Sequence, residues 1–201
     1  MRAGVRLIDR KLSDYQRIFK FSDDAQCILR LQLTSAPYTV TLANETIVKG
    51  STVLALHAWN ERMPRIPSGG ADLEWALKFE RSLIHSFRAT AQWMQRDPRA
   101  EQVCSVYGTS ALFSSSDHTG GMRMMQRLGF TVLPYHRPLG RFGEFWENLF
   151  SWWLMWAYND TSLQRRSFWR LQRTEIWMTR TKFLHRFERF SPPSQQIMVN
   201  L

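Results

Sequence analysis

Thr52-Val53-Leu54-Ala55-Leu56-His57-Ala58-Trp59 is a nearly continuous apolar run, and it decides the fold. A run of that length, rich in branched and aromatic side chains, predicts a central strand buried on both faces. A loop from Asn60 to Gly70, with two prolines and two glycines, follows it. Asp72 then supplies an N-cap for a long helix reaching about Gln95, with Leu73, Leu77, Ile84, Phe87, Ala91 and Met94 at helical spacing. Asp97-Pro98 ends it, because proline restricts the residue before it.

Upstream, Ile28–Leu33 alternates as a strand, Pro37 interrupts it, and Tyr38–Leu42 forms a second strand. Asn44-Glu45 predicts a turn, Ile47-Val48 leads to another at Gly50, and Asp14–Lys20 fits a short helix or a strand equally. Downstream, a strand lies within Glu101–Phe113, and Ser114, Ser115 and Ser116 belong to a loop. Thr119-Gly120-Gly121 leads into a short helix, Met122–Leu128, with Gly129 as its C′ residue and Phe130–Leu133 as a strand. Arg137-Pro138-Leu139-Gly140 marks the expected end of the sheet-forming part. Beyond it the sequence predicts helices, Phe142–Tyr158 and Leu163–Phe190, broken at Asn159-Asp160 and closed by Pro192-Pro193. The fold class expected is α/β, a central mixed sheet with flanking helices. A core domain over 1–140 would carry a C-terminal aromatic and basic helical extension over 141–191, packed on it.

Lys and Arg number 27 against 17 Asp and Glu, a net charge of +10. That balance points to an anionic partner (nucleic acid, acidic lipid, a phosphorylated ligand or a polymer) or to a merely basic protein. Cys27 and Cys104 make no disulfide framework and read as buried thiols in a reducing compartment. Two isolated cysteines and 5 scattered histidines give no metal site. No apolar segment follows the basic start of the chain, and Leu149–Tyr158, about 15 Å as a helix, is too short to span a bilayer. The expected location is cytoplasmic, with peripheral attachment at the inner face of the membrane.

Three constellations are candidates for function. His57 and Glu61 sit where the central strand runs into its loop, the place where open α/β sheets bind ligands. Together they could do acid–base work, and a plain strand-face histidine beside a turn is the alternative. Residues 142–158 hold Phe142, Phe145, Trp146, Phe150, Trp152, Trp153, Trp156 and Tyr158. From Thr161 onward eight bases face two acids, and Arg165, Arg166, Arg170 and Arg173 are the candidate anion-binding residues. Aromatics with arginine suit the headgroup layer of an anionic membrane, or stacking and phosphate contacts with nucleic acid. Alternatively the aromatic helix is core and the arginines are solvated.

The third is the loop Arg65-Ile66-Pro67-Ser68-Gly69-Gly70 before the long helix. With the order strand, loop, helix, strand, helix, Leu128-Gly129-Phe130, strand, it resembles the core of Gcn5-related N-acyltransferases over about residues 50–135. In that family an Arg/Gln-x-x-Gly-x-Gly/Ala loop cradles the pyrophosphate of coenzyme A. The resemblance implies acetyl-coenzyme A at Arg65, Ser68, Gly69 and Gly70. Ser68 replaces one signature glycine, Pro67 lacks an N–H, and Met125 stands where many members carry a proton-donating tyrosine.

Val48-Lys49-Gly50-Ser51-Thr52-Val53-Leu54-Ala55-Leu56-His57-Ala58-Trp59-Asn60-Glu61 is also similar to the Gly-x-x-Val-x-x-Leu-His-x-x-Asn stretch of the YkoP-like domain family. Asp97-Pro98, Val106-Tyr107-Gly108-Thr109 and Ile176-Trp177-Met178-Thr179-Arg180 extend the likeness over most of the chain. That family's domain occurs alone or joined to polysaccharide deacetylases, so the resemblance implies a cell-envelope context, without a catalytic mechanism to carry over. The expected function is an accessory, non-catalytic domain acting near the envelope through an anionic partner, with a protein of envelope polysaccharide metabolism as a further partner. The alternatives are an N-acyltransferase using acetyl-coenzyme A and a nucleic-acid-binding protein.

Overall fold

The computed structural model describes residues 2–43, 45–110, 120–136, 140–163, 168 and 173–188. The apolar run forms β4 (Thr52–Ala58), and Val53, Leu54, Ala55 and Leu56 are all buried, as an apolar strand covered on both faces must be. It pairs antiparallel with β1 (Leu29–Ser35), Leu31 opposite Leu56, and parallel with β5 (Ser105–Ser110), Val53 opposite Ser105. A parallel neighbour requires a crossover, and α2 (Leu73–Arg96) provides it. Asp72 caps α2 by accepting the Trp75 N–H at 2.8 Å. Past its end, the Asp97 carboxylate accepts the Arg99 N–H of a short 3₁₀ turn begun by Pro98.

The buried stripe of α2 is Phe79, Leu83, Phe87, Ala91 and Met94. Leu73 and Leu77, expected on the core face, are exposed, because the buried stripe continues from Phe79 to Trp75, which stacks on it, and leaves them on the flank. Ser86 and Thr90 tolerate full burial by bonding back to Ser82 O and Ser86 O, at 2.7 and 2.8 Å. Ser86 Oγ also accepts the Ile28 N–H at 2.9 Å and so ties the helix to the entry of β1.

α3 (Gly121–Arg127) and β6 (Thr131–Pro134) follow β5, with Gly129 at φ +97° in the left-handed conformation expected of a C′ glycine. α1 (Arg2–Tyr15) precedes β1, and β2 (Val40–Leu42) with β3 (Glu45–Ile47) makes a separate hairpin. α4 (Gly140–Tyr158) matches the first expected C-terminal helix.

The second expected helix, Leu163–Phe190, is corrected. Thr174–Thr179 is β7, and among the described residues of that span the α-helix is Arg180–Phe187, α5. The sheet order is β1-β4-β5-β7-β6, so β7 lies between two strands that precede it in the chain. The sheet therefore continues past Gly140, and a boundary there would cut through it. All six β7 residues are buried, Glu175 included. Its carboxylate accepts from Tyr38 Oη at 2.5 Å, Trp177 Nε1 at 2.8 Å and the His136 N–H at 2.8 Å, which offsets the cost of an interior charge. The turn expected at Asn44, the serine loop at 114–116, Arg137–Leu139 and the closing prolines lie outside the described residues.

Phe87 sits where α2 meets the rest, its ring 5.1 Å from Phe130, 5.9 Å from Phe183 and 5.1 Å from Phe187. Replacing it by Ala leaves a cavity among three rings and lowers the unfolding free energy by about 3–5 kcal/mol in urea titration. A loss under about 1 kcal/mol would contradict this packing.

Candidate functional site

β4 and β5 run parallel, and their C-terminal ends open at one edge of the sheet, where α1 and α4 pack against each other. Between strand ends and helices lies a cavity of about 340 Å³. Its polar lining includes Asp9 on α1, Arg30 on β1, His57 on β4, Asn60 in the following loop, Thr109 and Ser110 on β5 and Tyr158 at the end of α4. Its apolar wall includes Leu12, Ile18, Met63, Phe150, Leu154 and Met155. α1 turns Val5, Asp9 and Ser13 inward, one residue per turn, so its buried face is largely polar.

Three donors converge on one oxygen of Asp9. Tyr158 Oη donates to Oδ2 at 3.2 Å, Asn60 Nδ2 lies 3.5 Å from it, and Arg30 Nη2 lies 3.9 Å away. Burial, reinforced by the Asp9 charge, pushes the Tyr158 phenol up to about 12, so it stays a donor. Among the described residues, Arg30 Nε is buried without a hydrogen-bond partner.

His57 is held by a relay. Gln32 Nε2 donates to the Gln16 carbonyl at 2.8 Å, which orients the amide, and Gln32 Oε1 then faces His57 Nε2 at 2.9 Å. The proton of a neutral ring is therefore on Nε2. Burial, with the Arg30 charge as a second cause, lowers His57 from 6.5 to about 4. Such a ring is neutral at pH 7 and weakly basic, which suits binding better than proton abstraction. Glu61, its expected partner, does not line the cavity, and its carboxylate lies 3.9 Å from Arg10.

The loop 65–70 lies beside this site with much of its backbone already engaged. The Ile66 N–H donates to Asn159 Oδ1 at 3.2 Å, and Thr161 Oγ1 donates to Ile66 O at 2.6 Å. Gly70, at φ +103°, closes a turn by donating its N–H to Pro67 O at 2.9 Å. The start of α2 carries the Asp72 carboxylate. Ser68 and Gly69 are exposed, and Arg65 lines a separate hollow of about 170 Å³ with Arg2 and Arg6. This donor set does not fit a pyrophosphate cradle: the Ile66 and Gly70 N–H groups are spent, Pro67 has none, and a carboxylate already occupies the helix N-terminus. Met125 is buried.

α4 is turned inside out. Phe142, Trp146 and Trp153 recur on its outer face and are 76%, 53% and 43% exposed. Its polar groups point inward to Arg173, which donates from Nε to Asn148 Oδ1 at 3.1 Å and from Nη2 to Ser151 Oγ at 2.7 Å. Arg173 Nη1 lies 3.4 Å from the Glu147 carboxylate, which also accepts from Tyr135 Oη at 2.7 Å. Arg173 thus anchors α4. Arg165, Arg166 and Arg170 lie outside the described residues, while Phe168 packs on Phe145 and Trp152 with ring centroids 5.7 and 5.9 Å away. The aromatic helix is therefore neither wholly core nor wholly exposed. Among the described residues no helix is long and apolar enough to cross a membrane, and no group of His, Cys, Asp and Glu could hold a metal ion.

Asp9 and Arg30 have no mark in the sequence, and Tyr158 stands out there only as one of the aromatics of residues 142–158. The only local trace was a histidine at a strand end. The other three are isolated polar residues on three elements, and only the tertiary fold brings them together.

Comparison with known proteins gave one positive result: the family model described as the YkoP domain matches residues 3–187. No curated protein and no solved structure matches the chain significantly.

Because the folded state holds His57 at about 4 against 6.5, the unfolded chain takes up this proton first as pH falls. The His57 contribution is complete above pH 6.5 and is lost as pH drops from 6.5 through 4. Fully lost below pH 4, it amounts to roughly 3 kcal/mol. Urea titrations of the wild type and His57→Gln across that window should show a shallower pH slope in the variant. Equal slopes would exclude His57 as the source.

Proposed function

The chain belongs to the YkoP domain family, and we propose that it works as a non-catalytic accessory domain seated on an anionic membrane surface through the outer face of α4. The observation that carries this reading is the inversion of α4. A helix at the surface of a water-soluble domain normally turns its charges out and its aromatics in. Here Glu147 and Asn148 are committed inward to Arg173, while Phe142, Trp146 and Trp153 face away from the protein. Trp and Phe favour the boundary between headgroups and acyl chains, and a patch of them on an otherwise polar surface marks an interaction site.

Charge supports the choice of an anionic surface. The chain carries +10, and Arg2, paired with Asp160 at 2.5 Å, and Arg6 stand over the Trp156 and Tyr158 rings at 5.2 and 5.1 Å, at the C-terminal end of α4. Each base near an acidic bilayer contributes roughly 1 kcal/mol, and α1 adds exposed Leu7, Ile8 and Tyr15 alongside Lys11. An inner-face location and a partner from envelope polysaccharide metabolism complete the proposal. They rest on the likeness to a family whose domain is also found joined to polysaccharide deacetylases. The weak basicity of His57 supports the non-catalytic part, and the engaged loop at 65–70 removes the main support for acetyl-coenzyme A.

Co-sedimentation tests the reading. The protein should pellet with vesicles rich in phosphatidylglycerol and stay in the supernatant with phosphatidylcholine alone. Trp146→Ser combined with Trp153→Ser should weaken pelleting by about tenfold or more. Retention in the supernatant with anionic vesicles at low salt would overturn the proposal. A salt-dependent gel shift with RNA or DNA under the same conditions would move the assignment to nucleic acid.

A further inference from the structure

The cavity at the strand ends has a chemistry that membrane seating does not use. The Arg30 and Asp9 side chains are 13% and 9% exposed, and 3.9 Å separates Nη2 from Oδ2, which is longer than a hydrogen bond. Arg30 has five N–H donors and no acceptor, yet among the described residues its Nε is buried without a partner, and the Trp59 ring, 6.0 Å from the guanidinium carbon, offers it no oxygen. A guanidinium removed from water in this way calls for an oxygen acceptor, and a planar carboxylate matches its fork.

Asp9 makes the complementary demand. Its three neighbours all approach Oδ2, which leaves Oδ1 as an acceptor for a further donor. Asp9 and Arg30 together carry no net charge, and His57 adds none at neutral pH. A simple anion would bring an uncompensated negative charge beside Asp9, and a simple cation would stand beside Arg30. A ligand carrying both charges satisfies both groups and leaves the site neutral. The volume of about 340 Å³ is near the lower end of ligand cavities, so the occupant is small. The apolar part of the lining, Phe150, Leu154 and Met155 on α4 with Leu12 on α1, requires an apolar body.

We propose that this cavity binds a small zwitterion, an α-amino acid with an apolar side chain, its carboxylate on Arg30 and its ammonium on Asp9. The two ligand charges sit on one carbon, which lets them reach protein charges that stand 3.9 Å apart. Asn60 and the Tyr158 phenol hold Asp9 in place, and the wall of α4 selects the side chain.

Calorimetric titration of the full chain at pH 7.5, in lipid-free buffer, tests the site separately from membrane seating. The probes are L-phenylalanine, L-leucine and L-methionine. At least one should give saturable heat. For phenylalanine, 3-phenylpropanoate and phenethylamine, each lacking one charge, should bind about tenfold more weakly or worse. Arg30→Gln should abolish binding in protein whose circular dichroism is unchanged. Should that variant fail to fold, Leu154→Trp keeps both charges and narrows the wall, and it should weaken the larger amino acids alone. Absence of saturable heat from all three amino acids at about 10 mM would overturn the proposal. So would equal affinity for phenylalanine and its singly charged analogues.

Discussion

The pairing of β7 between β5 and β6 is the constraint on which the second half of the molecule depends. Among the described strands β6 pairs with β7 alone, so β7 is what aligns it and the preceding α3 in the sheet. The insertion forces the chain to leave the sheet after β6, travel along α4 and return to the middle of the same sheet. It also takes Glu175 into the interior, where only the three donors from Tyr38, Trp177 and His136 make its burial tolerable. These donors come from the chain before β2, from β7 itself and from the exit of β6. One carboxylate thus registers three segments.

The orientation of α4 follows from that return path. Arg173 immediately precedes β7, so its position is set by the sheet, and its guanidinium needs acceptors on whatever lies above it. Glu147, Asn148 and Ser151 supply them from successive turns of α4. Once those polar residues are committed inward, the helical period carries Phe142, Trp146 and Trp153 outward. The exposed aromatic face and the walled cavity are two results of a single choice of which side of α4 meets Arg173.

The parts of the fold readable from sequence are those in which local pattern and tertiary placement agree. β4 is apolar throughout because both its faces are covered, and α2 has a carboxylate cap at one end and Asp97-Pro98 at the other. Gly129 lies at the one kind of position where a positive φ favours it. β7 was hidden by its surroundings. Thr174-Glu175-Ile176-Trp177-Met178-Thr179 carries a charge that reads as solvated, and arginine-rich stretches flank it on both sides. α1 was missed for a related reason: its inward face is Val5, Asp9 and Ser13, so periodicity of apolar residues points to the wrong side of the helix. His57 could be nominated because strand ends are privileged places. Arg30 and Asp9 could not, since nothing local marks an ion pair formed between a strand and a helix. Arg173 looked like one more surface base and is instead the anchor of α4.

α4 is a septum one helix thick, with the cavity on one side and its aromatic face on the other. A helix is hydrogen-bonded along its axis, and Glu147, Asn148 and Ser151 tie the inner side of α4 to Arg173, so it yields to a push as a rod more readily than by local deformation. Any small tilt that improves contact on the outer side therefore alters the room available on the inner side. The two sides are thermodynamically reciprocal: whatever free energy one occupant contributes by shifting the rod, the other occupant experiences in equal measure.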